Sequence, residues 1–356
     1  MMRGLLAGMC LLVPLGCWAA DFTPDVRPGQ GVTSEHLLSD YFAPLAGTPM
    51  DSDVFILDSG KPGATGLMIG GTHGNELAGQ VAALLAVENV KVTRGRLLVI
   101  PYANRSAMSM PDSRNGVPRS HRIDSRGGER FLPYGDRRTD PEDQGVPDPD
   151  RYTNPPGYTL DNGAEARNLN RTYPGKADGT PTERLSWAIM QLLREEGVDF
   201  VLDMHEADTP ERKSPGEADY LPGRNKRLAY TLVAHPRGLE IAAFALLEME
   251  ADTGISMKLE ESNSAYRGLS HVEIGDHSPA VSFLSESPNP GQDRWREDPD
   301  VVSDAKYPVT HRAGLHLRLF EHLADAFGEA SGEHLEMTGL PEYDALMAGS
   351  IGRFLN

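Results

Sequence analysis

The chain has 356 residues, of which 39% are hydrophobic and 24% charged, and its formal net charge is -18 at pH 7. This composition suits one large α/β domain with long loops and argues against a disordered or fibrous chain. The acidic balance, with no long Lys/Arg run, excludes a broad basic face, so neither nucleic acid nor an anionic membrane surface is an expected partner.

Residues 1–20 read as a signal peptide. Arg3 supplies the positive start, Leu5 to Leu15 the apolar core, and Ala19 and Ala20 a small-residue cleavage site before Asp21. The apolar run is too short for a membrane span. The expectation is export, to the periplasm or the cell exterior. Cys17 raises the question of a lipid anchor, but Pro14 stands where such sites carry an aliphatic residue, which argues against one. Both cysteines, Cys10 and Cys17, fall in this segment. The remainder can form no disulfide, and any metal site must use His, Asp and Glu.

Residues 53–58 and 66–71 are short apolar runs bounded by Gly and Pro, and they read as buried strands. Residues 76–90 carry a helical apolar stripe of Leu77, Ala78, Val81, Leu84, Leu85 and Val87. Residues 96–101 return to strand. Residues 104–165 break the pattern, being rich in Pro, Gly, Asp and Arg, and read as a long polar surface insertion. A helix is expected near 182–196, a strand at 199–204, a polar loop at 207–227 and a helix at 238–253. A strand follows at 280–285, and a last helix near 311–327, stopped by Gly328. This alternation predicts an α/β fold, a doubly wound, mostly parallel sheet with helices on both faces. The domain plan is a signal peptide over 1–20, a catalytic domain over 21–330 and a C-terminal tail over 331–356.

His73 and Glu76 sit directly after the strand that ends at Gly70-Gly71. A His and a Glu three apart at a strand-to-helix turn can face one metal ion. Spacing alone is weak, because the same interval recurs at His121/Asp124, His205/Asp208 and His322/Asp325. Read by spacing, the turn is equally a Gly-rich loop with a solvated Glu. Position favours a site, since ligands in open α/β sheets gather at the C-terminal ends of strands. His205 ends the strand 199–204 in an equivalent place. By itself His205 also reads as a hydrogen-bonded histidine at a sheet edge, but together the three would make the His₂Glu set of a catalytic zinc, with one coordination position left for water. Asp203, which alternates with His205, is expected to point away from the metal.

Three segments in this order resemble the zinc carboxypeptidase superfamily: Gly-Gly-Thr-His73-Gly-Asn-Glu76, Asn168-Leu-Asn170-Arg171 and Asp203-Met-His205-Glu. The nearest branch is the succinylglutamate desuccinylase/aspartoacylase-like group, and the resemblance covers residues of about 50 to 330. It implies a zinc-carboxypeptidase-like fold and a Zn2+ cofactor. It also implies that Asn170 and Arg171 bind the substrate carboxylate, a task that suits the planar fork of Arg. It further implies a catalytic Glu at the end of a late strand, which Glu286 matches. Such a carboxylate takes a proton from the attacking water and passes it to the leaving amine. The family also carries a loop tyrosine, a place that Tyr266 fits, although it is equally an ordinary loop residue. An arginine ahead of the Asn-Arg pair would steady the oxyanion, and Arg119, Arg122, Arg126 and Arg167 all compete for that role.

The functional expectation is an exported zinc hydrolase, of metallocarboxypeptidase or N-acyl amino acid deacylase type. Its substrate would be a small peptide, those of the cell wall included, or an N-acyl amino acid. The alternative is an inactive carboxylate- or peptide-binding protein on the same fold. Many deacylases add a small β domain after the core; no counterpart is expected here, because the chain ends soon after its final helix.

Overall fold

The computed structural model describes residues 22–110, 117–210, 228–293 and 299–356. The expected signal peptide, with Cys10 and Cys17, and most of the 207–227 loop lie outside them. Eight strands form the central sheet: β1 (Ser34–Leu37), β2 (Asp53–Asp58), β3 (Thr65–Ile69), β4 (Arg96–Ile100), β5 (Phe200–Asp208), β6 (Thr231–Ala234), β7 (Lys258–Glu261) and β8 (Val281–Asn289). Their spatial order is β1-β2-β4-β3-β5-β8-β6-β7. The inner strands β4, β3, β5 and β8 are mutually parallel, while β2 and the β6–β7 pair run antiparallel to their inner neighbours.

Side chains alternate across the pleat, and the two faces become two cores. Met68, Leu97, Val99, Phe200, Leu202 and Met204 face helices α1 (Leu77–Asn89), α3 (Leu239–Thr253) and α5 (Val309–Ser331). Leu67, Ile69, Leu98, Ile100 and Val201 face α2 (Pro181–Glu195) and Ile274 of α4 (Ser270–His277). Helices therefore cover both faces of a mostly parallel sheet, as the sequence pattern predicts.

Three boundaries differ from the sequence pattern. Strands β5 and β8 run on to Asp208 and Asn289, because they pair along their whole length, from Phe200↔Val281 to Asp208↔Asn289. Their polar ends are held by buried partners, not by apolar periodicity. Helix α5 passes through Gly328, which packs against His334, and ends at Gly332, whose φ of +78° suits glycine. The chain then adds a short strand, Glu336–Thr338, paired with Lys91–Arg94, and a short helix, Tyr343–Met347.

The polar stretch 104–165 holds regular structure and buried residues. It forms a hairpin of Ser120–Ser125 and Gly128–Pro133, and Leu132, Tyr134 and Tyr152 are buried. Arg130 in this hairpin makes a fully buried ion pair with Glu88 at 2.7 Å. Among the described residues, no helix is long and apolar enough to cross a membrane.

Candidate metal centre

The turn after β3 is tightly constrained. Gly71 has φ +66°, and a Cβ on Gly74 would stand 2.5 Å from the Ala107 carbonyl oxygen. Both positions therefore favour glycine. The backbone of Gly74 is bonded in both directions to the insertion, Gly74 N to Asp136 O at 2.7 Å and Gly135 N to Gly74 O at 2.8 Å. Glu206 anchors the helix that follows. Its Oε2 accepts from Ala78 N at 2.9 Å, and its Oε1 meets Arg312 Nη1 at 2.6 Å in a fully buried pair.

These restraints bring His73, Glu76 and His205 together, with ligand atoms within 4.8 Å of one another. The three are 0%, 2% and 1% exposed. His73 Nδ1 lies 2.8 Å from Glu76 Oε1 and 3.2 Å from His205 Nδ1. His205 Nδ1 is also 2.8 Å from Glu76 Oε2. That oxygen is buried and makes no aligned hydrogen bond.

The outer ring nitrogens are held separately. Asn168 Oδ1 lies 2.9 Å from His73 Nε2, and Asp203 Oδ2 lies 2.9 Å from His205 Nε2. The second contact is poorly aligned for a hydrogen bond, so it is an electrostatic contact at close range. Asp203 also accepts from Thr72 Oγ1 at 2.8 Å and Ser270 Oγ at 2.6 Å. Asp203 thus lies behind His205 and on the same side of the strand. Residues i and i+2 share a strand face, so the expectation that Asp203 points away is corrected.

The charges explain why the group suits a cation. Burial pushes the His73 pKa down to about 4, so the ring is neutral. With Asn168 Oδ1 accepting from Nε2–H, the Nδ1 of His73 presents a lone pair to Glu76 and His205. Acceptors facing one another in a buried space require positive charge between them. A proton on His205 can supply it: burial works against that charge, but Asp203 and Glu76 raise the His205 pKa well above the usual range. A divalent cation can supply it as well, and the donor set of two imidazole nitrogens and a carboxylate fits one. The outer partners Asn168 and Asp203 are the kind that orient ligating histidines.

Glu286 lies beside this cluster, paired in register with His205 across β5 and β8. Its Oε2 is buried with no hydrogen-bond partner. Burial, with the negative charge of Glu76, pushes its pKa up to about 8, against the pull of His205. Arg171 is 17% exposed at its side chain, donates to the Asn170 carbonyl at 2.6 Å and stacks its guanidinium over the Tyr266 ring at 5.4 Å. Tyr266 packs in turn on Tyr158, at 4.9 Å between ring centroids. Asn170 spends its Oδ1 on Ser270 N at 2.8 Å, leaving Nδ2 as the amide group able to reach a ligand.

The four arginines that compete in the sequence all lie elsewhere. Arg119 donates to Ser109 O, Arg122 pairs with Glu129 and Asp124, Arg126 reaches Asn89 and Asn356, and Arg167 pairs with Asp148. Among the described residues, Arg137 is the arginine that reaches the cluster, with Nη1 3.1 Å from Glu76 Oε1. Gln292 reaches the same oxygen at 3.2 Å. Neither residue carries a sequence motif; backbone pairing of Gly74 with Gly135 and Asp136, and of Asp136 with Ala107, brings Arg137 in.

No family model matches the chain, and no curated protein matches it. Solved structures do. The apo form of the cell shape determinant protein Csd4 from Helicobacter pylori aligns over 83% of this chain and 58% of that one, at 13% identity and a TM-score of 0.50. The chain shares that fold. The mDAP-bound form of Csd4, described as a D,L-carboxypeptidase, aligns over 80% and 55% at 14% identity and a TM-score of 0.47. A succinylglutamate desuccinylase from Silicibacter sp. aligns over 78% and 61% at 19% identity and a TM-score of 0.42. The chain spans between 55% and 61% of the length of these structures.

Proposed function

We propose that this chain is an exported zinc-dependent hydrolase that cleaves an amide bond next to a free carboxylate, as a metallocarboxypeptidase or an N-acyl amino acid deacylase. The observation that carries the reading is the buried set of His73 Nδ1, Glu76 and His205 Nδ1, with both outer ring nitrogens held by Asn168 and Asp203. Zinc held there would supply Lewis acidity, polarising a carbonyl and lowering the pKa of a water.

The protein's own groups supply the rest. Glu286 takes a proton from the attacking water as the new C–O bond forms, then delivers it to the leaving nitrogen as the amide C–N bond breaks. Arg137 offers positive charge to the carbonyl oxygen as it becomes negative. Arg171, with the Asn170 Nδ2 group, holds the substrate carboxylate, and Tyr266 covers the Arg171 guanidinium. The acidic chain would repel an anionic substrate at long range, so a local cation of this kind is required. Small peptides, those of the cell wall included, and N-acyl amino acids present that carboxylate. Csd4, which shares the fold, is described as a D,L-carboxypeptidase, and the bond class proposed here is the same.

The test is a panel of cell-wall peptides and N-acyl amino acids, with and without chelator, on wild type and His73→Ala. Turnover that chelator removes and zinc restores is expected, with His73→Ala losing most of its zinc while its circular dichroism is retained. Full zinc occupancy in that variant would overturn the ligand assignment. Zinc binding with no turnover on any substrate would favour the inactive carboxylate-binding protein.

A further inference from the structure

The hydrogen bond behind His73 is itself set from further out. The Asn168 amide can present either its oxygen or its NH₂ group to a neighbour, with opposite consequences for the imidazole. Asn168 Oδ1 receives His73 Nε2 at 2.9 Å and also the backbone N of Asn170 at 3.1 Å. Its Nδ2 donates to Glu165 Oε2 at 2.7 Å. The other oxygen, Glu165 Oε1, accepts from Arg138 Nη2. Glu165 is thus an acceptor on both oxygens, toward two groups that can only donate. Its side chain is 13% exposed, so little water competes.

A carboxylate meets both demands, whereas an amide has one acceptor oxygen. In a Glu165→Gln chain that oxygen goes to the charged Arg138, because charge-assisted bonds are the stronger ones. The NH₂ group of the substituted side chain then faces the Asn168 NH₂ group. Turning the Asn168 amide relieves that clash, at the cost of the bond from Asn170 N, but aims an N–H donor at His73 Nε2. The His73 proton would move to Nδ1, the atom that faces Glu76 and His205.

We propose that Glu165 is a positioning residue for the metal centre: it holds the Asn168 amide with its oxygen toward His73, which keeps His73 Nδ1 unprotonated and available to the ion. The inference rests on the metal-site reading above. Glu165 Oε2 also lies 3.5 Å from Arg171 Nε, so the same oxygen borders the carboxylate-binding arginine.

The experiment measures zinc affinity by chelator competition on the full chain, as wild type, Glu165→Gln, Asn168→Asp and the double variant. Glu165→Gln should bind zinc about tenfold more weakly or worse, as outer partners of metal ligands usually do when altered. Adding Asn168→Asp should restore affinity to within roughly threefold of wild type. A carboxylate at position 168 only accepts, so it can receive both His73 Nε2–H and the NH₂ group introduced at position 165. General damage to the fold would not be repaired by a second substitution. Wild-type affinity in Glu165→Gln, or a double variant no tighter than Glu165→Gln, overturns the proposal. If the variants fail to fold, nitrogen NMR of zinc-loaded wild type decides: His73 should carry its proton on Nε2 and the ion on Nδ1, and the reverse overturns the proposal. A wild type that binds no zinc would instead remove the metal-site reading itself.

Discussion

Arg137 Nη1 stands 3.1 Å from Glu76 Oε1, although 61 residues separate them in the chain. The backbone accounts for the approach. Gly74 exchanges hydrogen bonds with Asp136 and Gly135, so the turn that carries His73 and Glu76 is zipped to the segment that carries Arg137. Arg137 is 27% exposed at its side chain, so it borders the cluster while remaining open to a ligand.

That position predicts an effect on rate more than on binding. Arg137→Ala should lower kcat by about 10²–10³-fold, the usual cost of removing one donor to a developing oxyanion, while zinc content stays at the wild-type level. Steady-state kinetics and metal analysis on the same preparation check this. A kcat within about threefold of wild type, far short of the loss expected for an oxyanion donor, would remove Arg137 from the reaction.

Glu286 should behave differently from the ligands. Glu286→Gln keeps the shape and removes the proposed base, so turnover should fall by about 10²–10⁴-fold with zinc retained. Residual turnover above about a tenth of wild type would assign the base elsewhere.

The sheet and its helices are legible in the sequence because alternating and helical apolar patterns follow from which faces are buried. That His73, Glu76 and His205 converge is legible because strand ends gather side chains at one edge of such a sheet. Asp203 is readable in principle, since a strand places i and i+2 on one face, and the expectation that it points away conflicts with that period. Arg137, Gln292 and Glu165 are not readable. They lie in segments without apolar periodicity, and their positions depend on backbone pairing between distant segments. The same holds for the polar ends of β5 and β8, where Glu206 is fixed by Arg312 and not by any apolar pattern.

A stability effect is expected at His311, which links helix α5 to the C-terminal segment. Its ring contacts Tyr230 Oη at 2.8 Å and Tyr343 Oη at 2.5 Å. Burial, with Arg312 nearby, pushes its pKa down to about 4. An unfolded histidine titrates near about 6.5, so between those values the unfolded state binds the extra proton. Stability from this group is therefore complete above about pH 6.5 and is lost as pH falls from there toward about 4. The loss should approach about 3 kcal/mol. His311→Gln, which does not titrate, should lose correspondingly less between about pH 7 and about pH 4.5. Denaturant unfolding at both pH values measures the difference, and equal losses in the two proteins would refute the assignment.

The last prediction decides the substrate class. Arg171 is a half-buried cation whose nearest carboxylate, Glu165, is 3.5 Å from its Nε, and that Nε makes no hydrogen bond. Its donors are therefore incompletely used within the chain, and Tyr266 holds the guanidinium plane by stacking on it. A substrate carboxylate would complete the set. A charge-assisted hydrogen bond contributes roughly 1.5–3 kcal/mol, so Arg171→Ala should raise KM by about 10- to 150-fold for a substrate with a free carboxylate beside the scissile amide. The amidated analogue of that substrate never makes this bond, and its KM should change far less. The comparison separates recognition from folding, because general damage to the site would weaken both substrates alike. Equal losses would make Arg171 a structural residue and would withdraw the free carboxylate from the proposed substrate, while chelator-sensitive hydrolysis could still stand on His73, Glu76 and His205.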